Sequence, residues 1–353
     1  MDAFGAGWSR WKRLLFEDFH FGTLLKLCLV SLLAEISGGG GFNGNFRSPG
    51  KAMDKMPGLP PSMHAALITF FLVGAAVALV IGLIVFYLSC RMKFVEFNTA
   101  ATGDRRVGPA WNWYAAQTWR LFWTTLAIDV IGLLLLVATA APMVMAFVHR
   151  GGFSGHPSLR QILGLLILIV PLLFAYVIAL QFALMVVRDL MLPVWALENA
   201  PVSYAWQVAR TIVEADVVGF LGYTALKIVM HIVVSIAAVL AFIAALLVSA
   251  IPFVAIGMAI YLPLHASSML LMILLFVAEG IVGGIWLLAL ASLIFGGSAW
   301  LFQCYSVEWV AGRYLPLRNV MYPPPPAAPV TAAPPEPPPA PENSAGDWVT
   351  VLG

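Results

Sequence analysis

Long apolar runs separated by short polar connections dominate the chain. From His64 to Cys90 no formally charged side chain occurs across 27 residues, about 40 Å of helix at 1.5 Å per residue, enough to cross a bilayer with tilt. Phe122 to Val148, which contains Asp129 and Pro142, and the uncharged Gln161 to Val187, which contains Pro171, predict two further spans. Val217 to Ala250 and Ala266 to Gln303 each exceed the length of one span. They are separated near Pro252 and Pro263, where a break in the helix would add a re-entrant piece. Phe21 to Ser37 is shorter and holds Lys26 and Glu35, so it either crosses or re-enters. The pattern predicts an all-α membrane protein with about six transmembrane helices.

The ends of the chain follow a different pattern. Phe4, Trp8, Trp11, Leu15 and Phe19 recur at helical spacing, which puts them on one face of an interfacial amphipathic helix over residues 1–20. The polytopic domain is expected over 21–318, with a Gly-, Pro- and Asn-rich connection after Gly38 to Gly41. Arg91 to Trp119 mixes Arg and Lys with Trp and Tyr and suits the headgroup layer. Beyond Arg188 the chain turns amphipathic, and residues 319–353 form a Pro/Ala-rich tail expected to be disordered. Its repeated P-x-x-P spacing offers a ligand to an SH3-like cytoplasmic protein; a plain disordered terminus is the alternative.

Composition places the chain firmly in the membrane class: 61% of residues are hydrophobic and 10% charged, and the mean hydropathy is +0.92. The net charge of +2 argues against a nucleic-acid partner and leaves the position of each cation as the useful signal. With six spans, 12 Lys and Arg fall on the side of both termini and 5 on the other. The positive-inside rule then sets both termini in the cytoplasm of a bacterial inner membrane. Cys28, Cys90 and Cys304 lie in or beside apolar runs without C-x-x-C spacing and read as small buried hydrophobes. No small-residue cleavage site follows the first apolar segment, so the N-terminus is expected to be a retained anchor.

Ionisable groups inside apolar spans are the natural functional suspects, since a charge at the bilayer centre costs about 2.5–3.5 kcal/mol even on insertion scales. Asp129, Lys227 and Glu279 are each placed roughly 15–20 Å deep by the six-span reading. Tyr223 and His231 share a helical stripe with Lys227, extending the candidate polar cluster. That cluster is either a polar pathway or a set of charge pairs fixing helix packing. Gly280 and Gly284 form a small-xxx-small pattern that favours close helix packing within the bundle, with a homo-oligomer as the alternative. Lys26 and Glu35 are near enough to their segment ends to snorkel. No H-E-x-x-H, G-x-S-x-G or Walker loop occurs, and neither a metal site nor a cofactor is expected.

The aromatic N-terminal helix, the run Gly38 to Gly41 followed by Phe42 and Asn43, and the segment Asp189 to Asn199 with Pro193, followed by Val202 to Ala209, carry a likeness. In these features the chain resembles uncharacterised prokaryotic multi-pass membrane proteins related to the membrane domain of some glycerophosphoryl diester phosphodiesterases. The resemblance covers residues 8–318 in order of elements. It implies the architecture but no catalysis, because the phosphodiesterase activity of those relatives belongs to a separate soluble barrel. A non-enzymatic membrane scaffold or envelope-associated component is the expectation; a small transporter or lipid-handling protein is the rival.

Overall fold

The computed structural model describes residues 3–17, 20–36, 61–149, 159–264 and 269–324. Every regular element among them is helical: α1 (Ala3–Lys12), α2 (Phe21–Ile36), α3 (Pro61–Thr102), α4 (Val107–Trp113), α5 (Ala115–His149), α6 (Leu159–Met185), α7 (Leu192–Glu198), α8 (Val202–Ala215), α9 (Val217–Leu264), α10 (Met269–Ala291), α11 (Gly297–Ala311) and α12 (Leu315–Met321). One-turn π segments continue α1 (Arg13–Glu17), join α6 to α7 (Val186–Met191) and join α10 to α11 (Ser292–Gly296). Five of the resulting rods are long and apolar enough to cross a membrane: 69–102, 115–148, 166–198, 217–263 and 269–311.

Burial divides each rod into two parts. In four of the five, no residue of the most apolar stretch is buried. The buried residues instead concentrate where one end of each rod meets the short helices. Phe94, Phe97, Leu190, Leu192, Trp195, Tyr223, Trp300 and Leu317 are all nearly inaccessible, and each such side chain contributes about 1.5–3 kcal/mol when fully removed from water. From the edge of this core, where Phe122 is still buried, the apolar parts pair in two sets. Phe86 meets Phe122 across α3 and α5 at 5.4 Å between ring centroids, and Gly132 of α5 faces Tyr176 of α6. Phe242 of α9 meets Phe295 at 5.3 Å, and Phe253 faces Gly283 of α10. The molecule is thus a packed core bearing two apolar arms, α3–α5–α6 and α9–α10.

Several sequence expectations need correcting. α2, the segment expected either to cross or to re-enter, is 16 residues long, shorter than the five rods, and joins the core through buried Leu27, Cys28, Val30, Ser31 and Ala34. The expected connection beginning at Arg91 is instead the last three turns of α3, because no helix breaker precedes Gly103, which takes φ +78°. Likewise the helix does not end at Arg188 but passes through the π segment to Glu198, where Asn199 closes it with φ 48°. Pro252 lies inside α9 without ending it, whereas the separation expected near Pro263 is present: α9 runs to Leu264 and α10 begins at Met269. Gly38 to Gly41, Phe42, Asn43 and tail residues 325–353 lie outside the described residues.

Candidate functional site

Two polar knots lie in the core, the second reaching its surface at Glu35, whose side chain stays 39% exposed. The first is built where α9 crosses the π segment Val186–Met191. Lys227 donates to Asp189 Oδ2 and to Ser306 Oγ at 2.9 Å. Tyr223, one turn before it, donates to the same carboxylate oxygen at 2.6 Å and lies 2.8 Å from Ser306 Oγ. Tyr223 and Ser306 are almost inaccessible, and the ion pair leaves 17% of the Lys227 side chain and 5% of Asp189 exposed. Asp189 lies within this π turn, whose one extra residue shifts the register of the helix around it.

The second knot joins α2 to the buried end of α3. Lys93 bridges Glu35 at 2.8 Å and Glu96 at 2.7 Å, while Ser31 donates to Glu96 at 2.5 Å. Burial pushes the Glu35 carboxyl up, but the charges of Lys93, Arg188 and Lys227 and the hydrogen bond from Lys93 outweigh it and hold the group down at about 2. Arg188 is within electrostatic reach of Glu35, Lys93 and Asp129, so it links the two knots. A third set of contacts ties together segments far apart in the chain. Arg10 bonds Glu308 at 2.6 Å and the carbonyl of Ala100 at 2.9 Å; Arg313 bonds Asp216 at 2.5 Å; Arg120 bonds the carbonyls of Asn199 and Ala200 at 2.7 and 2.6 Å.

Of the residues singled out in the sequence, Tyr223 and Lys227 meet in the first knot. His231 lies one turn further along α9, stacked on Phe302 at 4.1 Å between ring centroids. Asp129 is on α5, half-buried, facing the field of Arg188. Glu279 is elsewhere: its carboxylate sits beside Gly257, about 45 Å along α9 from Lys227 at 1.5 Å per residue. The three charges therefore do not converge. A Cβ placed on Gly280 or Gly284 would meet nothing within 4 Å, so neither glycine packs closely against a described helix. Glycines that approach the backbone of another helix closely are Gly296, where a Cβ would lie 1.9 Å from the Cys28 carbonyl oxygen, and Gly7, 2.9 Å from the Tyr305 Cα.

Asp189, Lys93, Glu96 and Ser306 carry no signal in the hydropathy pattern that marks them as candidates, and Glu35 reads there only as a snorkelling charge. Reading Arg91 and Arg188 as the exits of helices put their neighbours in connections. The unbroken run of helix formers to Thr102, with Lys93 and Glu96 three residues apart, was the available signal. Among the described residues no three His, Cys, Asp or Glu side chains are grouped to hold a metal ion. The model of a family of unknown function (DUF7544) matches residues 1–317. No curated protein and no solved structure matches the chain.

Proposed function

Because the chain belongs to the DUF7544 family, whose function is unknown, its task has to be inferred from its own geometry, and we propose that it is a non-enzymatic integral membrane scaffold. The observation that carries this reading is the mutual satisfaction of the core charges. Lys227, Asp189, Tyr223 and Ser306 use one another as partners, as do Lys93, Glu35, Glu96 and Ser31. Groups paired in this way fix helix register, whereas a transport pathway needs ionisable groups that water or solute can reach.

The arms support the same reading, since their apolar stretches are left to lipid or to the helices of other proteins. The segments that the Lys and Arg tally assigns to one side also meet in the core: α1, the end of α3, α7–α8 and α12. A bacterial inner membrane with the core on the cytoplasmic side follows as the proposed location, and the Pro-rich tail is proposed to recruit a cytoplasmic protein. The likeness to the membrane domain of glycerophosphoryl diester phosphodiesterases fits a supporting role without chemistry of its own. Proton flux in proteoliposomes tests the proposal. A scaffold leaves an imposed pH gradient as stable as in protein-free liposomes, for the wild type and for Asp189→Leu/Lys227→Met alike. A leak present in the wild type and absent from that variant would establish the transporter reading instead.

A further inference from the structure

Glu279 differs from the other carboxylates of the long rods. Asp189 is bound by Lys227, Glu96 by Lys93 and Glu308 by Arg10, Tyr314 donates to Glu198, and Asp129 faces the field of Arg188. Glu279 makes no hydrogen bond or ion pair among the described residues. Its half-buried carboxylate lies against α9, where a Cβ on Gly257 would stand 3.4 and 3.5 Å from the two oxygens. From Met269, the start of α10, it is about 15 Å along the helix at 1.5 Å per residue. That is mid-depth in a hydrocarbon layer about 30 Å thick when the tip of the arm reaches the far surface. No Lys or Arg occurs between Lys227 and Arg313, so the arm holds neither to pair with it.

Beside this carboxyl the surface of α10 is open. Gly280 and Gly284 follow Glu279 at about 100° and 140° round the helix. Both are exposed, and a Cβ on either would meet nothing within 4 Å. The backbone of another helix therefore has a close approach there, with its side chains next to the carboxyl. Charge decides which helix. A carboxylate in hydrocarbon is costly until a cation meets it, and a second copy of this chain cannot supply one at this depth. The apolar stretches of both arms, 64–90, 121–149, 161–187 and 228–312, contain no Lys or Arg, and Lys227 is already bound to Asp189 in the core. We propose that the Glu279, Gly280 and Gly284 face of α10 docks a transmembrane helix of another protein that carries a Lys or Arg near mid-bilayer. Its cation makes a charge-assisted hydrogen bond with the Glu279 carboxylate. This inference rests on the scaffold reading and names what the α9–α10 arm holds.

The test places the full-length protein, donor-labelled, in phosphatidylcholine liposomes with acceptor-labelled artificial helices of about 23 residues. These are built of Leu and Ala with either Arg or Leu at the centre, and energy transfer reads their association. The wild type is expected to bind the Arg helix about tenfold more tightly than the Leu helix. Glu279→Leu should keep the wild-type melting temperature and lose that preference. Gly280→Leu/Gly284→Leu, which leaves the carboxyl in place but blocks the approach, should weaken binding of the Arg helix by a similar factor. Asp129→Asn, which removes the carboxyl of the other arm, should retain the preference. Equal binding of both helices, equal losses in Glu279→Leu and Asp129→Asn, or Glu279-dependent transfer between donor- and acceptor-labelled copies of the chain itself would overturn the proposal; the last would assign the face to a homo-oligomer. Proton flux in the same liposomes separates the two readings. No Arg preference in a proton-tight protein overturns the pairing and leaves the scaffold standing, whereas a leak carried by Asp189 and Lys227 overturns the scaffold and this inference with it.

Discussion

Replacing Lys227 by Met removes the cation from a carboxylate with 5% of its side-chain surface exposed. Asp189 then keeps only the Tyr223 hydroxyl from the first knot, and an uncompensated buried charge of this kind costs about 3–5 kcal/mol. Asp189→Leu strands Lys227 less completely, since its ammonium retains Ser306 Oγ at 2.9 Å and the side chain is 17% exposed. Its cost is expected near the lower end, about 3 kcal/mol. In Asp189→Leu/Lys227→Met both charges go together, and Tyr223 still reaches Ser306 at 2.8 Å. No polar group of the knot is then orphaned, so the double variant should lie within about 1 kcal/mol of the wild type or above it. Chemical unfolding in detergent micelles followed by tryptophan fluorescence, arranged as a double-mutant cycle, measures this directly. A double variant whose loss equals the sum of the single losses would refute the claim that these charges act as one structural pair.

Further expectations concern other parts of the core. Gly296→Ala forces a Cβ to 1.9 Å from the Cys28 carbonyl and should cost at least about 1–3 kcal/mol as an overpacked contact, lowering the monodisperse fraction on size exclusion; Gly280→Ala and Gly284→Ala should leave it unchanged. Arg10→Ala removes a bond to Glu308 and one to the Ala100 carbonyl and should speed proteolysis within the first 20 residues while the spanning rods stay protected. Glu35, held at about 2 against an ordinary value of 4.5, has a depressed folded-state pKa. Its contribution is complete above about pH 4.5 and is lost as pH falls toward 2. The gap in melting temperature between the wild type and Glu35→Gln should therefore be constant near neutrality and close across that acid window.

The long rods were legible because uninterrupted apolar length is a strong and local signal, as in His64 to Cys90 and Gln161 to Val187. The site was legible only in part. Tyr223 and Lys227 are one turn apart on a single helix, so periodicity alone aligns them. Their partner Asp189 comes from a π segment 38 residues earlier, and a one-residue change of helical register leaves no trace in a hydropathy pattern. Glu279 was grouped with Lys227 because depth was counted from helix ends assumed to be level. α9 is 48 residues long, well beyond one bilayer crossing, so equal counts from its two ends do not mark equal depth. Glu35 and Lys26 were read alike as snorkelling charges; only tertiary packing distinguishes the carboxylate bound by Lys93 from the exposed lysine.

The central claim, that the core charges form structural knots closed to water except at the exposed edge of Glu35, is tested most directly by thiol accessibility at the two buried serines. Ser306→Cys and Ser31→Cys are close to isosteric and sit at 1% and 0% exposure beside Lys227 and Glu96. In a background with Cys28, Cys90 and Cys304 replaced by Ala, a membrane-impermeant maleimide applied from either side should leave both positions unlabelled. Exposed Ser9→Cys and Thr211→Cys should be labelled from one side. Labelling of Ser306→Cys or Ser31→Cys in the folded protein at a rate comparable to those controls would show water reaching the knots and contradict the scaffold account.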